Sequence, residues 1–93
     1  MTRTVLAMKR DIPVDGTSLR RARQRAGLEQ AELAEAVRAA GGAATQGFVS
    51  KLERGVRRGL SVRNYAKFVQ VLQVEHDELR SDRTTIPAAR VPA

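Results

Sequence analysis

The sequence predicts an all-α domain, a compact bundle of about five short helices flanked by flexible ends. Three observations carry this expectation. Apolar residues between Leu19 and Leu79 recur at spacings of three and four, the period of one helix face. Glycines close several of these stretches, at Gly27, Gly41-Gly42 and Gly55. No run of any length alternates with the period of a strand, and no segment repeats.

The first sixteen residues have no sustained period, and Pro13 and Asp15-Gly16 mark a turn. Residues 1–16 are therefore expected to form a flexible N-terminal arm. Thr17 or Ser18 can cap a first helix over Leu19 to Ala26, with Leu19, Ala22 and Ala26 as its buried stripe and Gly27 as its stop. Glu29 caps the second helix weakly. Ala31, Leu33, Ala34 and Val37 form its buried side, and Arg38 suits the negative end of the helix dipole. Thr45 is the natural N-cap of a third helix, whose Val49 and Leu52 point inward. Ser61 caps a fourth, from Val62 to about Gln73, with an apolar face of Val62, Tyr65, Phe68, Val69 and Leu72. A short fifth helix near Glu75 to Arg80 adds Leu79 to the core. The folded domain is thus expected over residues 17–80, with 81–93 as a disordered, proline-containing tail.

Composition narrows the function. A chain of 93 residues makes one small domain with a modest core. The absence of cysteine excludes disulfides, thiolate metal sites and cysteine nucleophiles. His76 is the single histidine and reads as a partly exposed helix residue, so no metal site and no cofactor are expected. No apolar run approaches the ~20 residues of a membrane helix, and Met1 to Met8 lacks the apolar core of a signal peptide. A cytoplasmic, nucleoid-associated location follows as an expectation.

The net charge is +7, and +6 of it falls between Ser18 and Arg63. A basic middle with nearly neutral ends suits a polyanion. Arg outnumbers Lys by 14 to 3, and a guanidinium can grip a phosphate or a guanine edge with two parallel donors. An enzyme is not expected. Glu29, Glu32 and Glu35 lie along a helix surface among arginines, as solvated ion pairs do, and no glycine-rich phosphate loop is present. The aromatic residues are Tyr65, Phe48 and Phe68, two of them on apolar faces, which leaves no stacking platform for single-stranded RNA.

The order Gly27-Leu28, Gln30, Glu32-Leu33-Ala34, Thr45-Gln46, Val49-Ser50, Leu52-Glu53 and Gly55, followed by the apolar pattern of the fourth helix, resembles the Cro/CI-type phage-repressor family. The resemblance spans about Leu19 to Leu79. It implies a helix-turn-helix whose recognition helix, over 45–54, enters the major groove of double-stranded DNA. It implies that Gln30 holds a phosphate at the start of the second helix, with Thr45 and the loop arginines Arg54, Arg57 and Arg58 as further phosphate contacts. Gln46 can pair with the edge of adenine, Lys51 can reach guanine acceptors or a phosphate, and Ser50 lies between them. Gly47 stands where the family often carries a reading side chain, and its lack of one suits close approach of the backbone to DNA. Phe48, also unusual there, can touch a thymine methyl or fold back onto the second helix. Arg23 and Glu53 match a family ion pair tying the first helix to the end of the third. The link over Arg38 to Ala44 is several residues longer than the compact family turn, and Gly41-Gly42 reads as a flexible hinge.

The expected activity is that of a transcriptional regulator, a repressor in particular, binding as a homodimer. Exposed members of the set Val69, Val71, Val74 and Leu79 are the candidate dimer surface, with Val71 the most exposed. The competing expectation is an antitoxin or adaptor of the same fold, whose tail folds on a protein partner.

Overall fold

The computed structural model describes residues 11–82. The expectations for 1–10 and 83–93, including a partner-binding role for the tail, fall outside them. Six elements follow in order: β1 (Ile12–Pro13), α1 (Gly16–Arg25), α2 (Gln30–Ala39), α3 (Gln46–Glu53), β2 (Gly59–Leu60) and α4 (Val62–Leu72).

The cap of α1 is Asp15, not Thr17 or Ser18. Its carboxylate accepts from the Thr17 amide at 3.2 Å and from the Ser18 hydroxyl at 2.8 Å. A carboxylate holds both donors and places negative charge at the positive end of the helix, so the helix starts earlier than its apolar stripe. Leu19 and Ala22 are buried, whereas Ala26 lies past the last turn and is exposed. Gly16 is set by close approach. A Cβ there would lie 2.5 Å from the carbonyl oxygens of Leu52 and Glu53, so the start of α1 rests on the end of α3.

In α2 the Glu29 amide donates to Glu32 Oε1 at 2.7 Å, which satisfies an otherwise orphaned donor. Leu33, Ala34 and Val37 are buried, but Ala31 faces solvent. Thr45 caps α3, its hydroxyl accepting from the Phe48 amide at 3.1 Å, and Val49 and Leu52 are fully buried. Ser61 caps α4 through the Asn64 amide at 3.2 Å. Tyr65, Phe68 and Leu72 enter the core, while Val62 sits off their stripe and is 59% exposed.

Among the described residues there are four helices, not five. Residues 75–80 form successive turns, held by bonds from the Glu78 amide to Glu75 O (3.0 Å) and from the Arg80 amide to Asp77 O (3.2 Å). Leu79 still reaches the core. A helix is prevented because this backbone bonds to the segment before α1. The Asp15 amide donates to Leu79 O at 2.8 Å, the Ser81 amide donates to Pro13 O at 3.1 Å, and Val14 bridges Arg80. That same segment forms a two-stranded antiparallel ribbon, Ile12 opposite Leu60 and Pro13 opposite Gly59. Ile12 and Val14 are core residues. Residues 12–16, expected in a mobile arm, therefore belong to the packed body. Their alternation is too short to register as a strand period.

The long turn after α2 is pinned rather than hinged. Gly41 has φ +101°, a left-handed conformation, and the Gly42 amide returns to Val37 O at 2.9 Å. Arg38 Nη1 donates to Ala44 O at 2.6 Å, and the Ala43 amide donates to Asn64 Oδ1 at 2.9 Å. A Cβ on Gly42 would meet Val37 Cγ1 at 2.8 Å. α2 and α4 hold the turn between them, so α3 has a defined orientation.

Candidate nucleic-acid interface

Burial of Val49 and Leu52 turns the opposite flank of α3 outward. Thr45, Gln46, Gly47 and Lys51 are exposed on it, and Ser50 is half-buried. The end of the helix carries Glu53, whose side chain is fully buried. Arg23 meets it with a two-pronged guanidinium, Nε to Oε2 at 2.6 Å and Nη2 to Oε1 at 3.0 Å, and its third nitrogen donates to Leu28 O at 2.9 Å. Arg20 adds a second cation at 3.6 Å. Burial pushes the Glu53 carboxyl up. Hydrogen bonds from Arg23 and Gln30 and the two cations outweigh this and hold it below the usual carboxylate range.

Gln30 links this pair to the outer flank. Its Nε2 donates to Glu53 Oε1 at 3.0 Å, and its Oε1 accepts from Gln46 Nε2 at 3.2 Å. An ionised carboxylate can only accept. Gln30 must therefore turn its NH2 inward and its carbonyl outward, and Gln46 must turn its own NH2 toward Gln30.

Beyond α3, Arg54, Arg57 and Arg58 are exposed around Gly55 and Val56. Lys51 O accepts from the amides of both Val56 and Arg57 at 3.0 Å, folding the loop back onto the helix. Each arginine uses Nε to hold itself: Arg54 to Ser50 Oγ (3.2 Å), Arg57 to Gly59 O (3.2 Å) and Arg58 to Gly55 O (3.4 Å). The Arg57 guanidinium also lies over the Phe48 ring, 5.4 Å from its centroid.

Two helices joined by a turn, the second with an uncovered polar flank beside a cationic loop, are now in place. A helix-turn-helix family model matches residues 19–79. The chain belongs to the helix-turn-helix family of Cro/CI type. No curated protein and no solved structure matches it. This is a family of DNA-binding transcription regulators.

In this helix-turn-helix protein Gly47 has an unusual setting. Apart from its chain neighbours and its own helix backbone, no atom lies within 4 Å of the place a Cβ would occupy, and its φ is not left-handed. Nothing in the fold requires glycine there. Phe48 packs partly against the core rather than standing free. On the far side of the domain, Leu79 is fully buried and cannot be dimer surface, and Val71, expected as the most exposed valine, is half-buried against the core like Val69 and Val74. His76 is exposed, in a turn and not a helix. Among the described residues no helix is long and apolar enough to cross a membrane.

Sequence reasoning missed the chain from Glu53 through Gln30 to Gln46, the stack of Arg57 on Phe48, and the locking roles of Arg38 and Asn64. The types were visible, an arginine near an aromatic and two glutamines at helix starts. Their partners lie far apart in sequence, Gln30 and Glu53 by 23 positions.

Proposed function

We propose that the protein is a sequence-specific transcriptional repressor that lays α3 in the major groove of double-stranded DNA. The polarity of Gln46 is the observation that carries this reading. With one N–H given to Gln30, Gln46 retains a carbonyl oxygen and a second N–H. Adenine presents an N6 donor beside an N7 acceptor, the complement of that pair. Lys51 and Ser50 lie further along the same helix, suited to guanine acceptors and the backbone, and Gly47 gives the duplex room to approach the helix closely.

Phosphate contacts frame the reading helix. The backbone amides at the start of α2 and the second N–H of Gln30, the one not given to Glu53, take one strand. Thr45 stands at the start of α3, and Arg54, Arg57 and Arg58 follow the backbone beyond it. The protein acts as a homodimer on half-sites about 34 Å apart, one turn of the duplex. The half-buried Val69, Val71 and Val74 remain the candidates for its dimer surface.

Selection of bound duplexes from a random pool tests the reading. Wild type should prefer adenine at one position of each half-site. Gln46→Ala should lose that preference, with about tenfold or greater weakening on the selected duplex. A selected sequence unchanged by Gln46→Ala, or undiminished binding in the Gln46→Ala/Lys51→Ala double variant, overturns it.

Gly47→Ala separates folding from binding. A Cβ meets nothing in the free protein, so the helix should gain about 0.5–1 kcal/mol and melt later. DNA binding should weaken, because the added methyl stands between backbone and duplex. A variant more stable and equally tight would remove Gly47 from the interface.

A further inference from the structure

We propose that Phe48 is a positioning residue for Arg57, making it a preorganised phosphate clamp unlike its two neighbours. The inference rests on the DNA-binding reading above. Three contacts fix Arg57. Its amide bonds Lys51 O, its Nε bonds Gly59 O, and its guanidinium covers the Phe48 ring. The ring in turn is held by its partial burial against the core and by the bond between its own amide and the Thr45 hydroxyl. Arg54 and Arg58 also have bonded backbones, the Arg54 amide to Ser50 O and Arg58 O to the Val14 amide. Each of their side chains, however, is tied through a single Nε bond, to a hydroxyl and to a carbonyl, with no ring beneath it. The bond to Gly59 engages Nε and not the terminal nitrogens, the prongs a phosphate needs for two-point contact.

A long side chain that is free before binding loses rotamer freedom when it meets a phosphate. Arg57 has already lost it. The cationic group is also held at the first turn of α3, so the phosphate it grips is one adjacent to the bases facing Gln46. This gives Phe48 a role that neither a thymine-methyl contact nor simple packing requires.

The consequence is a split between charge and affinity. Every arginine that neutralises one phosphate contributes about 0.9 to the salt slope, however it is held. Only Arg57 should contribute preorganisation as well.

The test measures binding of a mixed-sequence DNA duplex across a salt series. Arg57→Gln and Arg58→Gln should lower the slope equally, with Arg57→Gln the weaker binder. Phe48→Leu should leave the slope unchanged and weaken binding about two- to fivefold, the range of an exposed cation–π contact. Phe48→Tyr, which keeps the ring, should restore it. In the double variant the Phe48→Leu effect should vanish, since the group it positions is gone.

Independent effects of Phe48→Leu and Arg57→Gln overturn the positioning role while leaving Arg57 a phosphate contact. An unchanged slope in Arg57→Gln overturns both that contact and the clamp. Relaxation of the arginine Nε–H groups in the DNA-free protein supplies a readout that needs no variant. Arg57 Nε should be more ordered than Arg58 Nε, and equal order overturns the proposal.

Discussion

Replacing Glu53 by alanine should destabilise the fold by about 3–5 kcal/mol, the usual effect of stranding one member of a buried ion pair. The loss is not confined to one contact. Arg23 keeps its charge in a setting where its side chain is only 11% exposed, and Gln30 loses the acceptor that orients it. A domain of this size shifts its melting temperature by about 4–8 °C per kcal/mol, so a fall of at least about 12 °C is expected by circular dichroism. Total stability for small domains is about 5–15 kcal/mol, so the loss removes a large share of it. The variant should bind DNA poorly because its folded fraction falls on warming and Gln30 and Gln46 lose their orientation. A wild-type melting temperature would show that the pair does not lock α1 to α3.

The same carboxylate makes stability depend on pH. Its pKa in the folded protein lies below the unfolded value. Its contribution is therefore complete above the ordinary carboxylate range and disappears as pH falls through the lowered folded value. Melting curves of wild type and Glu53→Gln should differ most near neutrality and converge in acid. A gap that widens in acid would contradict the shift.

The second large effect concerns binding alone. Changing Arg54, Arg57 and Arg58 together to glutamine should lower the salt slope by about 2.7. The loss of affinity should be greatest at low salt, because the released counterions drive the contact. All three are exposed, so the melting temperature should stay near that of wild type. An unchanged slope would place the loop away from the duplex.

Local signals in the sequence were mostly reliable where the local chain decides the outcome, the exception being α1, whose cap is Asp15 and not Thr17 or Ser18. Thr45 and Ser61 cap α3 and α4 because a hydroxyl and an amide three residues away need nothing else. Val49, Leu52, Tyr65 and Phe68 are buried because their spacing places them on one face. Legibility failed where a distant segment competes for the same backbone. The helix expected near Glu75 to Arg80 gives way to turns, since Leu79 O and Arg80 are engaged by Asp15 and Val14, just ahead of α1. Gly41-Gly42 reads as loose because glycine is permissive, yet Asn64 and Arg38 remove that freedom. For the candidate site, residue types were legible and polarity was not. The direction in which Gln46 offers its amide depends on a carboxylate at the other end of α3.

The ribbon between Ile12–Pro13 and Gly59–Leu60 sets the smallest unit that can work. Val14 also holds Arg58 O at 2.8 Å, so the basic loop is moored at one end to α3 and at the other to residues ahead of the first helix. A chain cut back to Gly16 would retain all four helices of the bundle and forfeit that second mooring. It would also open the hydrophobic interior beside Leu60 and Leu79, where Ile12 and Val14 now sit. For engineering, the boundary of this DNA-binding domain belongs ahead of Asp11, so that it keeps a stretch that a map of helices alone would discard.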